Sequence, residues 1–190
     1  YLYFYWNYSP IWQVEKVGKL DKKTGKQQGK RVRKFPQPYL GDYLFFHYFD
    51  QARKSGQHTK MLKSRGIGMS FKAGALGPCN MMVYPGAGNP NFYLASDKTF
   101  LSGDKGVFGK VVEVLDWLAV TTPFPRTRLV NSLRSMEIQL GYVDSQGNRQ
   151  GNLSSVFGIS LKDNPDKARG IRGPMIFYEE DGLFPHLEKA

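Results

Sequence analysis

Residues 63–70 of the 190-residue chain read "KSRGIGMS", set between "TKML" (59–62) and "FKAGALGP" (71–78). A loop that cradles phosphates normally reads G-x-x-x-x-G-K-[ST]. Its glycines permit the turn, its lysine meets the β- and γ-phosphates, and its hydroxyl meets Mg²⁺. Gly68 and Ser70 stand where the last glycine and the hydroxyl belong, whereas Met69 fills the lysine slot and Lys63 the place of the first glycine. Met69 brings no charge. Lys63 and Arg65 flank the same tight turn, and either is long enough to fold back over a phosphate held by the amides of Gly66 to Ser70. The neighbouring residues predict "TKML" as a short buried strand and "SFKAGAL" (70–76) as a helix stopped by Gly77 and Pro78. Strand, glycine-bearing loop and helix, in that order, are the setting in which a helix N-terminus receives phosphate.

The second informative stretch is "PMIFYEEDG" (174–182), in which Met175 to Tyr178 run straight into Glu179, Glu180 and Asp181. So short an apolar run does not by itself distinguish strand from helix. The acids at its end match the arrangement in nucleoside triphosphatases, where a buried central strand delivers acidic groups to the tip of the sheet. Neighbouring residues on a strand point to opposite sides, so two adjacent carboxylates can take different roles. In nucleoside triphosphate hydrolysis one acid organises Mg²⁺ and the next polarises the attacking water. Glu179 suits the first role and Glu180 the second. Taken singly, "EEDG" is an acidic turn and "KSRGIGMS" a polar loop. Together they stand in the right order, with room between them for further strands.

The rest of the chain bounds the possibilities. Hydrophobic residues make up 41% and aromatics 14%, which predicts a folded chain with a proper core. Lys and Arg total 27 against 16 Asp and Glu, a net charge of +11 that favours a polyanionic partner. Cys79 is the single cysteine, so no internal disulfide or C-x-x-C metal knuckle is possible. His47, His58 and His186 form no metal-binding spacing. A reducing, cytoplasmic compartment fits this usage. No stretch approaches the ~20 apolar residues that span a bilayer, so no membrane partner is expected.

Along the chain, "YLYFYWNYSPIWQVEKVGKL" (1–20) reads as β or extended structure from its aromatic and β-branched residues. "DKKTGKQQGKRVRKF" (21–35), dense in lysine and arginine, reads either as a solvated hairpin tip or as a phosphate-backbone contact. Helical spacing of Leu40, Tyr43, Leu44, His47 and Tyr48 predicts a helix from about Tyr39 to Lys54. "FYLAS" (92–96) is strand-like. "GVFGKVVEVLDWLAV" (106–120) is an amphipathic helix, with Val107, Phe108, Val111, Val112, Leu115 and Leu118 inward and Lys110, Glu113 and Asp116 outward. "SMEIQLGYV" and "LSSVFGISL" flank "DSQGNRQGN" as a β-hairpin with a polar turn. The domain reading is an N-terminal β or extended segment with a basic hairpin over 1–36, then an α/β core over 37–190.

"KSRGIGMS" resembles the deviant Walker A motif of the large terminase subunits, the ATPases that drive DNA packaging in tailed bacteriophages and related viruses. That family tolerates an S-R-x-x-G-x-[ST] core, and some members carry the working lysine at the front of the motif, where Lys63 stands. "MIFYEEDGLFPHL" is similar to the family's Walker B strand in a variant with Glu in first place. Arg169–Gly170 and Arg172–Gly173 lie just upstream of it, as in that family. The resemblance covers roughly residues 35–190, best over 59–77 and 153–187. It departs from the common form at Met69 and Glu179.

The resemblance implies an α/β P-loop NTPase of the ASCE type, with a mainly parallel central sheet flanked by helices and a β-hairpin insertion. Its ligands would be ATP and Mg²⁺. Lys63, Ser64, Arg65, Gly66, Ile67, Gly68, Met69 and Ser70 would bind nucleotide, and Ser70 with Glu179 would hold the metal. Glu180 would orient water, with Arg65 as a sensor or in-cis arginine finger. Arg169 and Arg172 would reach a neighbouring subunit, and Tyr39 lies where the family contacts adenine. Partners would be double-stranded DNA, the portal protein, the small terminase subunit and further copies in a homo-oligomeric ring, in the cytoplasm of a host cell. The coupling motif and nuclease domain of that family would lie in a longer protein. Two alternatives stay open: another P-loop helicase or remodelling ATPase, and a basic nucleic-acid-binding module without catalysis.

Overall fold

The computed structural model describes residues 1–16, 29–63, 66–84, 88–125, 127–162 and 164–180. By internal contacts the chain divides into two compact units. One comprises Leu2–Met61, and the other Tyr1 together with the chain from Leu62 onward.

The first unit begins with helix α1 (Leu2–Tyr8), where the sequence predicts β or extended backbone. Aromatic residues favour strands only weakly, and tertiary packing decides. Phe4 and Tyr5 are buried, Phe4 stacks near Tyr8, and Tyr5 meets Phe46 of the second helix, contacts that require helical spacing. Burial and the nearby Asp42 carboxylate raise the Tyr5 pKa, so its hydroxyl stays neutral. Past Pro10, strands β1 (Ile11–Lys16) and β2 (Gly29–Lys34) pair antiparallel, from Ile11 opposite Lys34 to Lys16 opposite Gly29. The turn of this hairpin lies outside the described residues. Helix α2 (Leu40–Ser55) falls within a residue of its predicted bounds and ends on Gly56, whose φ of 66° is the left-handed cap that glycine adopts without cost.

"TKML" forms no strand. Residues 57–63 are coil, and Leu62 is 91% exposed. Two apolar residues between lysines bury too little surface to hold a strand, and no described strand pairs with them.

In the second unit helix α3 (Met69–Val83) is followed by β3 (Pro90–Ala95), α4 (Val107–Thr121), β4 (Arg128–Ser132), β5 (Glu137–Leu140), the short pair β6 (Tyr142–Val143) and β7 (Arg149–Gln150), then β8 (Ser155–Ser160) and β9 (Met175–Glu179). Five strands form one mixed sheet in the order β4-β5-β8-β3-β9. β3 runs parallel to β8 and to β9, while β5 pairs antiparallel with β4 on one side and β8 on the other. The architecture is α/β, with half of its strand pairings parallel rather than most. β5 and β8 pair across the predicted polar hairpin, whose tip closes through β6 and β7. β9 is an edge of the described sheet rather than a central strand, with Ile176 and Tyr178 partly exposed.

Tyr93 and Gly158 are register partners and therefore face the same side of the sheet. Tyr93 meets α3 there, and a side chain at Gly158 would meet Phe108 of α4, so both helices cover this one face. α3 passes straight through Pro78, beyond its predicted stop. A proline in a helix interior removes an amide donor and strains the preceding turn. Here the fully buried Tyr93 hydroxyl enters the helix: it accepts from the Gly77 amide at 2.8 Å and donates to the Ala73 carbonyl at 2.7 Å. The backbone groups next to the proline are thus satisfied from the sheet. Lys110, expected on the outer face of α4, is buried. Its ammonium pairs with Glu113 at 3.0 Å and lies 4.7 Å from the Phe71 ring centre. A buried ammonium needs such partners. α3 and α4 touch at Gly74, where a Cβ would stand 2.5 Å from that of Lys110.

Candidate functional site

The loop before α3 turns on two glycines in the left-handed region, Gly66 at φ 85° and Gly68 at φ 70°. Nothing lies within 4 Å of where a Cβ would stand at either, so conformation rather than space demands glycine. Gly68 is the N-cap of α3. No side chain caps the helix there, and the Gly68 carbonyl already accepts from the amides of Phe71 and Lys72. Glycines in these conformations beside an uncapped helix N-terminus turn amide donors and the positive end of the helix dipole toward one point.

Met69, in the slot of the usual lysine, goes into the core at 7% exposure. Ser70, one residue on, is half-buried, and its hydroxyl donates to Glu179 Oε1 at 3.2 Å across 109 residues of sequence. Glu179 is the last residue of β9 and pairs in register with Ala95, the last residue of β3. The pair therefore lies at the carboxyl ends of parallel strands, where open α/β sheets present ligands. Burial raises the Glu179 pKa; the Ser70 hydrogen bond opposes this, the Glu180 charge adds to it, and the Lys63 charge opposes it. Glycine turn, serine and carboxylate thus belong to one end of the sheet, while Lys63 is exposed and its charge opposes the rise in the Glu179 pKa.

Glu180 is exposed in a turn at φ 54°. The left-handed conformation costs a non-glycine residue roughly 1–2 kcal/mol and turns its side chain away from the line of β9. The two acids accordingly differ, one buried against Ser70 and one open to solvent. Ser64, Arg65 and Asp181 lie outside the described residues. Arg169 is exposed and pairs with Asp166 at 3.0 Å, Arg172 is exposed, and Tyr39 belongs to the other compact unit as the N-cap of α2. No cluster of three or more His, Cys, Asp or Glu residues suited to a metal occurs among the described residues.

Lys72 is the residue that sequence reasoning missed. It is 1% exposed, and its ammonium donates to the Ile67 carbonyl at 2.6 Å. A charge-assisted bond from inside the protein thus fixes the peptide between the two left-handed glycines. The signal in the sequence was a lone lysine amid "MSF-AGALG", small and apolar residues that leave a helix no polar face. Comparison of the chain with protein families, with curated proteins and with solved structures finds no match.

Proposed function

We propose that this chain is the ATP-hydrolysing motor domain of a terminase large subunit, built on a P-loop NTPase fold and moving double-stranded DNA into procapsids. The observation that carries the reading is the 3.2 Å contact between Ser70 and Glu179, which joins the two stretches whose motifs resemble Walker A and Walker B. The coil at 57–63 weakens one part of the resemblance, since no strand leads into the loop.

In this reading the amides of Gly66 to Ser70 bind the β-phosphate at the start of α3, and Lys63 neutralises the β- and γ-phosphates from the solvent side. A hydroxyl and a carboxylate within hydrogen-bonding reach are hard oxygen donors, which suit Mg²⁺ carried in with nucleotide. Ser70 and Glu179 would hold it, and it would neutralise charge on the phosphate oxygens. Lys72 keeps the loop in shape by holding the Ile67 carbonyl. Glu180, solvent-facing, orients the attacking water and accepts its proton. Arg65 supplies further charge to the transferring phosphoryl group. Portal protein, small terminase subunit and a ring of identical copies would complete the motor, in the cytoplasm of a host cell.

Glu180→Gln tests the assignment of roles. Magnesium-dependent ATP binding is expected to persist while turnover falls about 10²–10⁴-fold, the range for a lost general base. Normal turnover in this variant removes Glu180 from the mechanism. The net charge of +11 favours one second reading, a basic nucleic-acid-binding module without catalysis. DNA binding with no nucleotide affinity, unaffected by Lys63→Ala and Ser70→Ala, would select it.

A further inference from the structure

We propose that the outward face of α2 is a contact surface for a second copy of this chain, packed antiparallel on the same helix about a two-fold axis. Leu40, Tyr43, Leu44, His47, Tyr48 and Gln51 recur three and four residues apart and so form one stripe. Apolar residues at this spacing usually face a core, yet all six are exposed, the two leucines and two tyrosines by 41% to 70%. The buried residues of α2 are Asp42, Phe45 and Phe46, which lie on the opposite side. The helix is therefore apolar on two faces, and only one of them is covered by the described residues.

Charge and area select a second copy as the occupant. From Leu40 to Gln51 the stripe carries no charged side chain, so two chains of net charge +11 can approach there without like charges meeting. The five side chains from Leu40 to Tyr48 offer about 500 Å² per copy, taking ~200 Å² for a whole aromatic residue, so a pair reaches the ~1,000 Å² at which specific interfaces begin. The aromatic centre of the stripe is ordered in advance. The Tyr43 and His47 rings stack at 5.4 Å, and Tyr48 meets His47 edge-on at 5.4 Å. Aromatic side chains held in this way anchor interfaces, because little rotamer freedom is left to lose. Lys54 sets the direction. It lies on the same side at the end of the helix and pairs with Asp50 at 2.6 Å. A parallel pair would bring the two Lys54 side chains together. An antiparallel pair centred between Leu44 and His47 holds them about 25 Å apart, at 1.5 Å per residue. In that pair Leu40 of one copy faces Gln51 of the other, Tyr43 faces Tyr48, and Leu44 faces His47. Such a contact closes at two copies.

This surface is independent of the nucleotide site, so failure of ATP binding would leave it standing. Sedimentation equilibrium of the whole chain across the micromolar range is expected to show a reversible monomer–dimer equilibrium. Leu44→Lys puts like charges near the axis and is expected to weaken the dimer about tenfold or more. Position 44 is exposed, so the substitution leaves the fold intact, which circular dichroism checks. The direction is read with a short bismaleimide on cysteine variants, since the native Cys79 is buried. A mixture of Leu40→Cys and Gln51→Cys is expected to cross-link. Leu40→Cys alone is expected to stay uncross-linked, because its two copies lie about 16 Å apart along the helices. A chain that stays monomeric throughout overturns the proposal, whether another part of the chain or a different protein covers the stripe. So does a dimer indifferent to Leu44→Lys, or cross-linking of Leu40→Cys to itself.

Discussion

Glu179 is held in a buried position that suits a ligand better than it suits the carboxylate alone. Burial raises its pKa above the ordinary 4.5, and the Ser70 hydroxyl opposes this. The native state of the nucleotide-free chain therefore binds this proton more tightly than the unfolded chain does. Stability is lost as pH rises from about 4.5 through the raised native value, and the penalty is then constant. Glu179→Gln is accordingly expected to melt a few degrees above the parent at neutral pH, with the gap closing at acidic pH; thermal melts across pH without nucleotide check this. A melting point lowered at pH 7 would show that the carboxylate is net stabilising. Lys72 presents the opposite case. Methionine of similar length fills its space but removes one partner of a buried charge-assisted hydrogen bond, which is destabilising because the other partner stays behind. The Ile67 carbonyl would lose its ammonium donor, and the glycine loop its anchor. Lys72→Met is expected to lower the melting point by a few degrees, from a loss of about 1–3 kcal/mol, and to weaken ATP binding about tenfold, the equivalent of ~1.4 kcal/mol, readable by calorimetry.

At the scale of elements, the sequence was legible where periodicity ran long. α2 and α4 each repeat apolar residues over several turns, and both helices appear close to their predicted positions. β3, β9 and the antiparallel β5–β8 pair also lie where the pattern places them. Short runs misled. The seven residues of α1 are aromatic enough for a strand, and tertiary packing, such as the contact of Tyr5 with Phe46, decides for a helix. The misread end of α3 has a clearer cause. Gly77-Pro78 is a valid stop signal locally, and it is overruled by a tyrosine hydroxyl supplied 16 residues later. Tyr93→Phe tests this directly. It strips partners from the Gly77 amide and the Ala73 carbonyl in the core, a cost of about 1–3 kcal/mol, and is expected to lower the denaturant midpoint accordingly. Undiminished stability would mean that the helix re-forms its own bond past Pro78. The candidate site shows the same division. The motifs pointed to Ser70 and Glu179, which do meet, whereas Lys72 lies past the end of the loop template and is found only in three dimensions.

For the whole molecule, the α/β architecture positions an uncapped helix start, two left-handed glycines and a buried acid at one end of a mixed sheet, in a chain of net charge +11. The distinctive feature of this arrangement is where the cation comes from. Met69 is in the core, so in the proposed reading the charge for a triphosphate would come from outside the helix, and Lys63, whose charge opposes the rise in the Glu179 pKa, is the candidate for it. The most direct measurement is calorimetric titration of ATP, with and without magnesium, into the parent chain and into Lys63→Ala. Magnesium-dependent binding by the parent that is lost in Lys63→Ala is the predicted result. Equal affinity in both proteins, or no magnesium-dependent binding by the parent, would contradict it.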